Sequence, residues 1–311
     1  MDSWWLYRGT GIPLDPAERD RRWPAPPPWR IYCGGPDEPP APPRDETATR
    51  VLGATGTPWV PDPDEVAGVN TALQLRRPLL VGGEPGTGKS ALAHRIAREL
   101  GLGPVLRWPL TGASTLAEAL YGPAGPGTVR LGPLGTALLP RRLPRVVLVD
   151  DLDRGGFDLP DELLAVLHDG EFTIPGLLGS DSALVHTWEP GGTATVRGGL
   201  VRCHEPPLVV VTTGGERDLP PAFVRHCVRL ELSPMTRERL AELARARFPD
   251  VPAEVLDALL DRAEREPAGA GPFLDALHLV NTGALDAIRE GEGGGSAALD
   301  TLWRRAALEG P

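Results

Sequence analysis

Residues 78–100 read PLLVGGEPGTGKSALAHRIAREL, and the order of residue types in this stretch decides the fold. PLLVGG, 78–83, is a short apolar run of the kind that forms a strand buried on both faces. GEPGTGKS, 83–90, matches G-x-x-x-x-G-K-[ST] in full. SALAHRIAREL, 90–100, then spaces its apolar residues for a helix that stops at Gly101. Glycines in such a loop let backbone N–H groups turn inward around phosphate oxygens, and the helix start adds the positive end of its dipole. The candidate binding residues are therefore Gly83, Glu84, Pro85, Gly86, Thr87, Gly88, Lys89 and Ser90. Lys89 is expected to reach the β- and γ-phosphates of a nucleoside triphosphate, and Ser90 to ligate Mg²⁺.

Composition singles out the same loop. Lysine and arginine total 32, yet Lys89 is the single lysine in the chain. An ammonium on a thin stem enters a tight phosphate loop that a planar guanidinium does not fit. At 311 residues and 41 % apolar, the chain can build one large domain and a smaller one. A net charge of −10 lacks the positive field that non-specific nucleic-acid binding needs, so no nucleic-acid partner is expected. Three cysteines make no disulfide framework. No run is apolar for long enough to span a membrane, and the start lacks a signal-peptide pattern, so a cytoplasmic protein without a membrane partner is expected.

Working outward, residues 1–63 are rich in proline, glycine and tryptophan. Their aromatics are too apolar for a solvated tail, which predicts an arm lying on its own domain or on a neighbour. Asp62, Pro63 and Glu65 read as cap, first turn and capping-box partner of the first long helix. Further strands are expected at 105–110, 145–151, 207–213 and 227–232. Short helices are expected at 114–120, with Thr115 and Glu118 as a capping box, and at 219–226. Asp158 is positioned to cap a helix over 159–170, and the alternation in 183–204 around EPGG predicts a hairpin. From Ser233 onward the pattern is helical. This is an α/β chain: a P-loop three-layer αβα sandwich on a five-stranded parallel sheet, followed by a small all-helical lid domain. The expected boundaries are 1–63 for the arm, 64–232 for the nucleotide-binding domain and 233–311 for the lid.

A phosphate loop needs a metal-holding acid at the end of a neighbouring strand. VVLVDDLD, 146–153, supplies Asp150 for Mg²⁺, with Asp151 beside it to polarise an attacking water. GEPGTGKS, RVVLVDDLDRGGFDLPDELLAVLHDGEF and LVVVTTGGERDLPPAFVRHCVRL together resemble the AAA+ ATPases of the MoxR family. WWLYRGTG and RLGPLGTALLPRR resemble one branch of it, which occurs alongside von Willebrand A-type proteins in bacterial multi-gene systems. The resemblance implies a 5-1-4-3-2 sheet, a helical lid and a ring, usually a hexamer. It also implies ATP hydrolysis with Mg²⁺ coupled to remodelling or maturation of a partner protein, including one of the von Willebrand A type. It makes Lys89, Asp151 and Arg225 the catalytic set, with Arg225 as the arginine finger that reaches the neighbouring subunit's nucleotide.

Three positions depart from that family's pattern. Asp151 stands where glutamate is usual, and Gly214 where a polar asparagine is usual, leaving Thr212 or Thr213 to stand in. AGAGPFLDALHL, 268–279, lacks the lid arginine. A second reading is therefore a hydrolysis-impaired, nucleotide-dependent switch or scaffold. A nucleic-acid motor on the same fold is disfavoured by the acidic charge. Cys203-His204 and His226-Cys227 fit no common zinc spacing. Arg141, Arg142 and Arg145 read as a solvated face or a subunit contact.

Overall fold

The computed structural model of the chain describes residues 4–39, 45–53, 59–267, 269–282 and 303. Three helices come first: α1 (Pro16–Arg22), α2 (Glu46–Leu52) and α3 (Pro63–Leu75). The strand β1 (Leu79–Gly82) leads through the glycine loop into α4 (Lys89–Leu100), and β2 (Leu106–Pro109) follows. Next come α5 (Leu116–Leu120), the hairpin β3 (Tyr121–Gly125) and β4 (Thr128–Leu131), α6 (Pro133–Ala137) and β5 (Val146–Asp150). After α7 (Leu159–Asp169) lie four short strands, β6 (Glu171–Thr173), β7 (Ala183–His186), β8 (Thr193–Val196) and β9 (Leu200–Arg202). The chain then returns through β10 (Leu208–Thr212), α8 (Pro221–His226) and β11 (Val228–Glu231). It continues as α9 (Arg237–Arg247), α10 (Ala253–Arg265) and α11 (Ala270–Asn281).

The main sheet has five parallel strands in the order β11-β1-β10-β5-β2. This is the 5-1-4-3-2 order that the resemblance implies, in an α/β fold followed by a helical region. Every residue of β5 and β10 is buried, because helices cover both faces. The two-residue period divides the core. Val147, Val149, Val209 and Val211 pack with Leu134, Leu163 and Phe223 on one face. Val146, Leu148 and Val210 pack with Val69, Leu92 and Ile96 of α3 and α4 on the other. The helical region has its own core, in which Leu240, Leu256, Leu260, Phe273 and Leu277 meet Trp303. No helix among the described residues is long and apolar enough to cross a membrane.

Several local expectations need correction. Thr115 and Glu118 do form a reciprocal capping box. Glu65, however, is not a capping partner: Asp62 alone caps α3, and the Glu65 carboxylate is buried between Tyr7 and Arg95. Asp158 has helical dihedrals, and its side chain caps nothing. The hairpin around EPGG is β7–β8. Residues 200–202 leave it to pair as β9 with β6. A second sheet, β3-β4-β7-β8, joins that hairpin to β3 and β4, two strands without an apolar signature in the sequence.

The arm lies on its own domain. Leu6 and Tyr7 are fully buried among the residues of α3 and α4. Their N–H groups donate to Asn70 Oδ1 at 2.7 and 3.0 Å, and Asn70 Nδ2 donates back to the Tyr7 carbonyl at 2.8 Å. Backbone N–H groups of Arg8, Gly9 and Gly11 converge on the buried Glu99 carboxylate of α4.

Candidate functional site

The glycine loop runs between the C-terminal end of β1 and the start of α4, so it faces the edge where the parallel strands end. Gly86 sits at φ +79°, a left-handed conformation, and a Cβ there would lie 2.9 Å from Gly269 Cα. Only glycine fits. Gly88 precedes the first turn of α4 and supplies no capping side chain, so that turn keeps N–H donors for a ligand. Lys89 Nζ donates to the carbonyls of Gly83 (2.5 Å) and Glu84 (3.1 Å), which holds the ammonium within the curl of the loop. Thr87 Oγ1 donates to the Glu84 carbonyl at 2.9 Å and braces the same turn.

Asp150 ends β5, beside Pro109 of β2. Its Oδ1 accepts hydrogen bonds from Ser90 Oγ (2.7 Å) and Thr212 Oγ1 (3.0 Å). Its Oδ2 accepts from Arg107 Nε (3.0 Å) and Nη2 (2.6 Å). Burial alone would raise this carboxyl, but the bonds from Ser90, Arg107 and Thr212 outweigh it and hold Asp150 below the usual carboxylate range. The structure thus brings together Ser90 and Asp150, residues far apart in the chain. A hydroxyl and a carboxylate at hydrogen-bond distance are oxygen donors of the type a hard divalent cation takes.

Asp151 is half-exposed, and its backbone lies in the left-handed region at φ +63°, ψ +60°. Burial, then the charge of Asp150, pushes its carboxyl up, against the pull of Arg154 at 3.8 Å. Its N–H donates to Thr212 Oγ1 at 2.9 Å. Thr212 therefore bridges the two acids and is fully buried, so its hydroxyl is not free to stand in for the asparagine that the resemblance expects at Gly214. The Thr213 hydroxyl accepts from the Gly215 N–H, and the Gly214 N–H donates to Asp153. Thr212 and Arg107 are the site residues that sequence reasoning missed as ligands of Asp150. Their strand-end positions beside β5 are the signal that would have found them.

Arg225 is exposed on α8 and faces an open cavity of about 540 Å³, with Arg217 and Arg229. It lies apart from the Lys89–Asp150 cluster and makes no described hydrogen bond to it. A smaller cavity, about 130 Å³, adjoins the glycine loop and is lined by Thr87, Gly88, Trp59, Arg95, Met235 and Leu274. The Arg95 guanidinium stacks 5.1 Å above the Trp59 ring, and the Trp59 N–H donates to the Thr10 carbonyl of the arm. The helical region reaches the loop directly, since the Ala270 N–H donates to the Gly86 carbonyl at 3.2 Å.

Cys203 and Cys227 are buried, and burial pushes both thiols up to about 12. His204 pairs with Asp37 at 2.7 Å. Among the described residues no three His, Cys, Asp or Glu side chains gather as a metal site. The basic cluster is not a solvated face throughout: Arg145 is only 1 % exposed and pairs with Glu189, while Arg142 pairs with Asp20.

No family model and no curated protein matches the chain. Solved structures do. The RuvB Holliday junction branch migration motor of Thermotoga maritima is similar at 17 % identity and TM-score 0.44, over 76 % of this chain and 65 % of that one. Hsp104 of S. cerevisiae, in its ADP complex, is similar at 16 % and 0.45, over 73 % and 46 %. NtrX of Brucella abortus, in complex with ATP, is similar at 12 % and 0.45, over 75 % and 53 %. The chain spans less than two thirds of each of these proteins.

Proposed function

We propose that the chain is an AAA+ ATPase of the MoxR type that binds ATP and Mg²⁺ in the cradle of residues 83–90. The carrying observation is the contact of Ser90 with Asp150 at the foot of the loop that holds Lys89. In this reading Lys89 leaves the Gly83 and Glu84 carbonyls for the phosphates. Ser90 and Asp150 would hold the cation, which would neutralise charge on the phosphate oxygens. The cavity beside Thr87 and Gly88, walled by Trp59, would take the base. Asp151 orients water, and Arg225 acts on the neighbouring subunit's nucleotide. A residue acting across subunits requires a head-to-tail contact, which closes as a ring or continues as a filament; the family resemblance favours a ring, usually a hexamer. The ring would work in the cytoplasm, remodelling or maturing a partner protein of the von Willebrand A type.

A specific observation favours a second reading. Asp151 is one methylene shorter than glutamate and held at positive φ, and Gly214 offers no polar side chain. The chain would then bind ATP and hydrolyse it slowly, as a nucleotide-dependent switch. The test is equilibrium ATP binding beside steady-state hydrolysis, for the wild type and Lys89→Ala, over a dilution series. Binding and concentration-dependent turnover, both lost in the variant, support the ATPase. Binding without turnover supports the switch, and no binding by the wild type removes both.

A further inference from the structure

We infer that Arg107 is a built-in counter-ion that competes with the divalent cation for Asp150. This inference rests on the nucleotide-binding reading above. It begins from how unequally the two Asp150 oxygens are held. Oδ1 is fixed by Ser90 at the loop and by the fully buried Thr212 hydroxyl. Oδ2 is held by Arg107 through Nε and Nη2. The Arg107 side chain is 57 % exposed and makes its described hydrogen bonds to Asp150 alone. Trp108, the next residue of β2, points into the core and fixes the strand, so Arg107 projects to the opposite side, toward the loop.

A carboxylate at such a site is costly next to a triphosphate, because like charges repel across a short distance. Arg107 offsets that repulsion before any cation arrives. A hard cation needs carboxylate lone pairs, and a guanidinium beside the same oxygen repels it. Cation entry therefore requires Arg107 to swing away, and its side chain, 57 % exposed, has solvent to swing into while Asp150 stays buried. Buried Thr212 meanwhile keeps the carboxylate in place. Arg107 would thus be a positioning residue that lowers the dependence of nucleotide binding on metal.

The experiment measures the Kd of ATP in excess Mg²⁺ and in EDTA, for the wild type, Arg107→Gln and Arg107→Lys. The quantity read is the ratio of the EDTA value to the Mg²⁺ value. Arg107→Gln should raise this ratio roughly two- to fivefold, the scale of one partly exposed charge pair. Arg107→Lys keeps the charge and should stay near the wild type. A purely structural role would move both Kd values by one factor and leave the ratio unchanged, which overturns the inference. A lower ratio also overturns it, and would make Arg107 a phosphate ligand. Wild type that binds ATP under neither condition removes the nucleotide reading itself, a result distinct from an unchanged ratio.

Discussion

Asp151 occupies a backbone conformation that few side chains accept. At positive φ the Cβ crowds the carbonyl, a cost of about 1–2 kcal/mol that the short polar side chains of Asp and Asn bear best. This gives a physical reason for aspartate where the family resemblance leads one to expect glutamate. Asp151→Glu should lower unfolding stability by about 1 kcal/mol, and Asp151→Gly should raise it or leave it level. Denaturant titration of the three proteins checks the order. The same Asp151→Glu variant separates the two functional readings, since a gain in turnover despite lost stability would favour the switch. The residues of the loop, with Asp150, were legible because one motif and one strand end carry them. Thr212 and Arg107 were not, because their role depends on which strands lie beside β5.

At the scale of elements, α11 meets the glycine loop through bare backbone. Gly269 lies at φ +74°, ψ +178°, a region that in practice only glycine enters. A Cβ there would lie 3.0 Å from Gly86 Cα. Gly269→Ala should therefore loosen this docking by about 1–3 kcal/mol, read as faster hydrogen exchange in α11 while β5 and β10 keep their protection. The composition of PAGAGP reads only as a break between helices. Nothing local says that one of its glycines touches a loop far upstream. The second sheet was hidden for a related reason. β4 pairs with β7 through Arg130 and His186, and the proline and glycines of β3 carry no strand preference. The main sheet was legible because β5 and β10 are apolar up to their last residues, Asp150 and Thr212.

Over the whole molecule, the proline- and tryptophan-rich beginning is part of the folded domain. Tyr7 OH donates to Glu65 Oε1 at 2.6 Å, and Arg95 Nη2 donates to Glu65 Oε2 at 2.5 Å. Arg95 then stacks on Trp59 at the wall of the small cavity. Burial, then the Glu65 charge, raises the Tyr7 hydroxyl well above its ordinary value, so it stays a donor. Tyr7→Phe removes a donor from a buried carboxylate and should cost about 1.5–3 kcal/mol in a denaturation curve of unchanged slope. Composition announced an arm that docks. It did not say where, because no local pattern marks Asn70 and Glu99 as the acceptors of the arm's own N–H groups. Lys89 carries a last consequence. It is the one side-chain amine in the sequence, and its nitrogen is folded against the Gly83 and Glu84 carbonyls. For an acylating reagent, or a protease that cuts after lysine, the polypeptide offers one internal address, at the junction of the glycine loop and α4. Cleavage after lysine therefore reports on that junction alone, and acylation reports on it beside the α-amine.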